Sequence, residues 1–333
     1  GAVTVYTDRR GADADIYMFD IEHEVERQIT SGGGDQFFND ISGDKIVYTD
    51  FGTGNAEIFL YDISTRETLQ VTDDPANQRN PAISGSIVVW EDYRNGQADI
   101  YMLDLATVVK TRVTTDPGYD RNPDVDGDII AFDSNRFHLG DVFIYRISTN
   151  TLTAVTNDVD YERNPAVSGD HVAYESYAGG DSDIWLYSIF LGVSEQATVD
   201  SNEQYLEALS GNRLVYTDNR NDNLDIYMYE FVFDGPNIDD ITKFFDDSVQ
   251  LGTIEGRGSG WLANLRLNIM REMLVIVGEL IDYDRIKAAC FILQRAQMRC
   301  DGERRPLPDF VVGEAVPELA EMIEELMNDL GCD

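Results

Sequence analysis

An all-β six-bladed propeller, with four-stranded blades on a 42-residue repeat closed by a C-terminal strand and followed by a C-terminal α-helical module, is the fold this sequence predicts. Three observations predict it. A short phrase returns every 42 residues, each interval holds four strand-like segments, and the rhythm gives way to helical periodicity after residue 256.

The phrase Asp15-Ile16-Tyr17-Met18 recurs as Glu57-Ile58-Phe59-Leu60, Asp99-Ile100-Tyr101-Met102, Asp141-Val142-Phe143-Ile144, Asp183-Ile184-Trp185-Leu186 and Asp225-Ile226-Tyr227-Met228. A second phrase, Ile41-Ser42-Gly43-Asp44, keeps the same interval through Leu209-Ser210-Gly211-Asn212. Two registers agreeing over the same span mark internal repeats, and self-similarity at this period means a propeller or a solenoid. One unit reads as strands over 81–84, 87–91, 98–103 and 110–114, rich in β-branched and aromatic residues and separated by turn signals. Helical solenoids need amphipathic runs of about ten residues or more, which these units lack, so six copies mean six blades.

The opening Val3-Thr4-Val5-Tyr6-Thr7-Asp8 aligns with 45–50, so the first blade lacks its innermost strand. Gly252-Thr253-Ile254-Glu255-Gly256 matches Pro81-Ala82-Ile83-Ser84-Gly85, which predicts that a late strand completes the first blade and removes its free edge. The expected domains are therefore 1–256, the propeller, and 257–333, the helical module.

Ile87-Val88-Val89-Trp90-Glu91-Asp92-Tyr93-Arg94-Asn95-Gly96, followed by Asp99-Ile100-Tyr101-Met102 and Val113-Thr114, resembles the TolB-like propeller repeat of secreted, periplasmic and surface proteins. The resemblance covers about residues 3–256. It implies the fold and an extracellular or periplasmic location, and leaves activity open because the fold hosts many functions. The amino-terminal partner-binding domain of TolB itself has no counterpart in this sequence, so membership of that envelope complex is not implied.

In the tail, Leu262, Leu265, Ile269, Met273, Ile276 and Leu280 follow helical spacing, as do Ile286, Ala289, Leu293, Ala296 and Cys300, and then Leu319, Ile323, Leu326 and Leu330. Three helices are expected, suited to docking or oligomerisation, with an extended connection over 301–313 containing Pro306 and Pro308. All three cysteines, Cys290, Cys300 and Cys332, lie here. A module with little core of its own gains from a disulfide, and Cys332 is expected to pair with Cys290 or Cys300; the alternative is three buried thiols.

Composition excludes several functions. Apolar residues are 43% and aromatics 11%, too many for a disordered acidic chain, while 62 Asp and Glu against 25 Lys and Arg give a formal charge of −37. That charge repels phosphate backbones and anionic lipid surfaces, so no nucleic acid partner is expected. No apolar run reaches the roughly 20 residues that span a bilayer.

Candidate site residues fall on the loops joining one blade to the next, on the propeller's upper face. Asp74, Asp116, Asp158 and Asp200 recur there, as do Arg79, Arg121 and Arg163, and Asn80, Asn122 and Asn164. They form either a ring of ligand-binding groups at the channel mouth or a scaffold, in which Asp and Asn cap turns and each Arg pairs with a neighbouring blade's carboxylate. Departures from the repeat are the sharper candidates: Phe37-Phe38-Asn39 and Tyr205-Leu206-Glu207 stand where other blades have Arg-Asn-Pro, and such aromatics stack on sugars or grip peptides. Asp40 and Asp124 follow this position; if it leans toward the channel, they place two carboxylates near the axis, where backbone carbonyls and water would complete a calcium site.

Enzyme signatures are weak. His23, His138 and His171 do not fall on one face, and no Gly-x-Ser-x-Gly elbow leads into a helix. The expectation is a non-catalytic binding protein for a protein, peptide or carbohydrate ligand. The alternative is a carbohydrate-active enzyme, lyase or glycosidase, using carboxylates at the mouth.

Overall fold

The computed structural model describes residues 3–189, 192–221, 223–231, 238–282, 285–300, 310–330 and Cys332. The chain forms two units, Gly1–Phe231 and Val232–Asp333.

The first unit is six successive antiparallel sheets, the six blades of a propeller. The third blade shows the pattern: Gln78–Ser84 innermost, then Ile87–Asp92, Asp99–Asp104 and the outermost Val109–Arg112. The middle strands are buried on both faces, so they read as continuous apolar runs rather than alternating ones. Blade packs on blade through these strands. Val47 and Ile58 of the second blade meet Ile83, Val88 and Trp90 of the third in one core, and Val89 and Ile100 meet Ile130 and Phe132 in the next. In the second, third, fourth and sixth blades an aromatic pair ties the second strand to the third, as with Trp90 and Tyr101 at 6.2 Å and Phe132 and Phe143 at 5.8 Å.

Two local devices set the inner rim. The Gly of the second phrase adopts φ between +52° and +59° in all five turns from Gly43 to Gly211, a left-handed conformation that makes glycine the residue of choice. Each innermost strand of the second to fifth blades also shifts register between the residue before the bulge and the one after it, as from Arg79 to Ala82. Asn80, Asn122 and Asn164 take φ of 48° to 56° there, and so does Phe38 at 53°. The bulge is what turns Asp40 and Asp124 inward.

The ends depart from expectation. The first and sixth sheets have three strands each, and the strand expected to close the first blade does not join it. Glu255–Gly256 pairs instead with Val311–Val312 inside the second unit. The cause is a helix that precedes it, α1 (Ile238–Leu251), which buries Ile241, Phe245 and Ser248 on one face. Ile254 then inserts among the helices, and Gly256 passes so close to the next helix that an added Cβ would meet the Ala263 carbonyl oxygen at 2.0 Å. The boundary expected at 256 therefore falls within the helical unit, which begins near 232.

That unit has four helices rather than three: α1, α2 (Trp261–Asp282), α3 (Ile286–Gln297) and α4 (Val316–Asp329). Ala289, Leu293 and Ala296 of α3 and Leu319, Ile323 and Leu326 of α4 face inward, as their spacing predicts. In α2 the buried face is Met270, Leu274 and Val277, while Leu262, Ile269 and Ile276 are exposed, because that helix is apolar on more than one side. Cys290 pairs with Cys332, leaving Cys300 as a buried thiol. Residues 301–309 of the proline-containing connection lie outside the described residues. Among the described residues no helix is long and apolar enough to cross a membrane.

Candidate functional site

The recurring Asp, Asn and Arg residues separate into scaffold and candidate. Each recurring Asp closes its own turn, its carboxylate accepting the backbone N–H two residues on: Asp74 from Ala76, Asp116 from Gly118, Asp158 from Asp160 and Asp200 from Asn202. Each Asn is a staple between blades. The Asn122 backbone N–H donates to Glu91 Oε1 of the preceding blade at 2.9 Å, and its side-chain amide donates to Asp133 of its own blade at 2.7 Å. Asn164 repeats this between Asp133 and Glu175, and Asn80 donates from its backbone to Thr49 and from its side chain to Glu91 and to Asn122 Oδ1.

The partners in this belt are residues the sequence reading missed. Thr7, Thr49, Glu91, Asp133, Glu175 and Thr217 stand 42 apart near the end of each second strand. Glu91, Asp133 and Glu175 are buried, each giving one oxygen to the amides of two blades. Burial, and to a lesser extent the nearby Glu91, pushes the Asp133 carboxyl up to about 7 against the hydrogen bonds from Asn122 and Asn164.

The arginines behave differently. Arg163 pairs with Glu175 of its own blade at 2.9 Å and donates to the Tyr177 hydroxyl at 2.7 Å. Arg79 lies 4.5 Å over the Tyr93 ring and Arg121 4.5 Å over Tyr119. Among the described residues neither has a carboxylate within ion-pair distance, and the buried Nε of Arg79 has no hydrogen-bond partner. The expectation that each Arg pairs with a neighbouring blade's carboxylate thus fails at all three positions: Arg163 pairs within its own blade, while Arg79 and Arg121 stack on tyrosines and the Glu91 oxygens go to Asn80, Asn122 and the Tyr93 hydroxyl. Burial and Glu91 push the Tyr93 hydroxyl up to about 12, against the lowering pull of Arg79 and Arg121.

On the adjoining second blade, Phe37 stacks edge-on with Phe51 at 6.0 Å under the Arg9 guanidinium. Phe38, in the position of Asn80 and Asn122, is 50% exposed. Tyr205 donates its hydroxyl to Glu203 at 2.7 Å, a bond that, with burial, raises its pKa to about 12.

Asp40 and Asp124 do meet, lining one channel cavity of about 250 Å³ with Asn164, Leu206 and Glu207. Each carboxylate also clamps a neighbour: Asp40 accepts the Ile83 N–H at 2.7 Å and Asp124 the Val167 N–H at 2.7 Å. Loss of water raises both pKa values, Asp124 to about 7, with the Asp40 charge adding to the shift. Asp124 can exchange a proton near neutral pH, and two carboxylates so placed offer oxygens to a cation. Among the described residues no three acidic, histidine or cysteine side chains converge as a metal set. The histidines stay apart, His23 on Asp20, His138 on Asp141 and His171 against Phe231.

This geometry defines a six-bladed β-propeller with an arginine-aromatic mouth. Residues 39–171 match the model of the TolB beta propeller domain, and the propeller shares its fold with solved TolB structures. A putative TolB from Agrobacterium tumefaciens superposes with a TM-score of 0.52 at 16% identity, over 69% of this chain and 86% of that one. An oligogalacturonate lyase in complex with manganese gives 0.53 at 16% identity, over 68% and 71%. TolB from Acinetobacter baumannii gives 0.49 at 21% identity over 62% of this chain, which spans 56% of that protein's length. No curated protein sequence matches the chain.

These neighbours correct the expectation of a non-catalytic protein. Structures sharing the fold include the lyase, prolyl endopeptidases and an acylaminoacyl peptidase, so the propeller itself does not separate binders from enzymes.

Proposed function

We propose that the mouth face of the propeller binds a peptide, protein or carbohydrate ligand in an extracellular or periplasmic setting. The observation that carries the reading is the pair Arg79 and Arg121, which stack on tyrosines without a carboxylate partner in a chain of formal charge −37. Phe37, Phe38 and Tyr205 extend this face with aromatic surface, and aromatic and arginine side chains are what binding hot spots favour. The Cys290–Cys332 bond supports an oxidising compartment. Calcium in the channel belongs to the same proposal: Asp40 and Asp124 would supply two oxygens, with water and backbone carbonyls completing the shell.

Peptide and glycan arrays probed with the full chain and with an Arg79→Gln, Arg121→Gln, Tyr205→Ala variant test the reading. Ligands lost by the variant support it; ligands retained in full refute it. Thermal melting in calcium against chelator tests the cation, since a ligand at 100 times its Kd adds about 2.7 kcal/mol.

A second reading, a carbohydrate-active enzyme, draws on one observation. Asp124, held near pKa 7 beside Asp40, has the poise of a general acid at neutral pH. It requires turnover of oligosaccharides, oligogalacturonides among them, that Asp124→Asn abolishes.

A further inference from the structure

The geometry points to a clamp for the carboxyl terminus of a peptide ending in an apolar residue, formed by Arg79 and Arg121 with Phe38 beside them. This deepens the binding reading above and rests on it. The residues are neighbours by construction of the repeat. Phe38, Asn80 and Asn122 occupy one position on three successive blades, the Asn80 side chain donates to Asn122 Oδ1 at 3.2 Å, and the charges of the adjacent Arg79 and Arg121 both reach the Tyr93 hydroxyl.

Three further facts fix the ligand's chemistry. A guanidinium lying over a tyrosine ring keeps its terminal N–H groups for a carboxylate, and among the described residues two such groups stand here without an anion of their own. The protein's charge of −37 repels polyanions at a distance, so the fitting ligand brings a single carboxylate rather than a run of them. Phe38 then supplies the apolar contact. It adopts φ 53° where the bulges of the third, fourth and fifth blades carry Asn, a residue far better suited to that region, and it leaves half its surface in water. Local folding preference and burial both argue against phenylalanine there, and a ligand's apolar side chain gives it a partner.

The test is calorimetric titration of the full chain with N-acetyl-leucyl-phenylalanine and with its carboxamide. The free acid is expected to bind at least about tenfold more tightly than the amide. Arg79→Gln with Arg121→Gln removes that difference, while Phe38→Asn weakens acid and amide alike without lowering the melting temperature. Equal affinity for acid and amide overturns the clamp. Failure of both probes to bind overturns it as well, and the broader reading then stands or falls on the arrays. Glucuronate binding as tightly as the peptide, and indifferent to Phe38→Asn, overturns the peptide assignment in favour of a sugar acid.

Discussion

In the third blade the phrase Asp99-Ile100-Tyr101-Met102 buries Ile100 completely, whereas in the sixth Asp225-Ile226-Tyr227-Met228 leaves Ile226 76% exposed and Met228 61% exposed. Packing within the two blades is the same: Trp90 stacks on Tyr101 at 6.2 Å, and Tyr216 on Tyr227 at 5.7 Å. What differs is the neighbour. The repeat encodes a blade, but half of each blade's core belongs to the blade that follows, and the sixth shows its apolar face to solvent.

The comparison breaks if matched truncations cost the same. Ile100→Ala opens a cavity at the interface of the third and fourth blades and is expected to cost about 3 kcal/mol, against about 0.5 kcal/mol or less for Ile226→Ala, by denaturant melts. A buried response at Ile226 would show that something covers the sixth sheet in solution.

The channel clamps sharpen it next. Asp124 takes up its proton at higher pH when folded than when unfolded, so the folded state holds more protons between about pH 4 and 7 and stability falls as pH rises through that window. Asp133 and Glu162, also raised to about 7 by burial, act in the same direction. Asp124→Asn keeps an oxygen for the Val167 N–H and removes one ionisation. The variant's melting temperature is expected to fall less between pH 5 and 8 than that of the parent, and an unchanged slope would show the carboxylate to be well solvated.

Asn122→Ala leaves the Asp133 carboxylate short of a donor while the backbone bond to Glu91 survives, for a cost of about 1–2 kcal/mol. The smallest effect has the opposite sign: Phe38→Asn places a residue tolerant of φ 53° in that bulge and is expected to gain up to about 1 kcal/mol. A loss there would mean that the ring packs more than its exposure shows.

Much of this was legible in the chain. A step of 42 residues fixed the blade count, and the departures at Phe37 and Phe38 marked the mouth. The clasp misled because Thr253-Ile254-Glu255-Gly256 shares only an apolar residue and a glycine with the inner-strand phrase, features a helix-flanking loop also needs. Ile241, Phe245 and Ser248 already carried the helical spacing that overrules it. The belt of Glu91, Asp133 and Glu175 was present at the same interval as everything else, hidden inside strands whose buried positions were read as apolar. Which arginines lack a carboxylate partner lay beyond sequence, because Arg79, Arg121 and Arg163 occupy the same repeat position and differ only in how their side chains pack in the folded blades.

The staples between blades join residues 31, 42 or 43 positions apart: Asn122 to Glu91, Asn80 to Asn122, and Ile83 to Asp40. Among the described residues each of these donors finds its acceptor on the adjoining blade, and none reaches across the ring. A chain wired this way tolerates the loss or gain of a whole 42-residue unit, since the cut ends meet partners of the kind they lost, whereas a deletion of half a unit strands donors on both sides. The spacing of these bonds thus sets the quantum in which such a gene can lengthen or shorten.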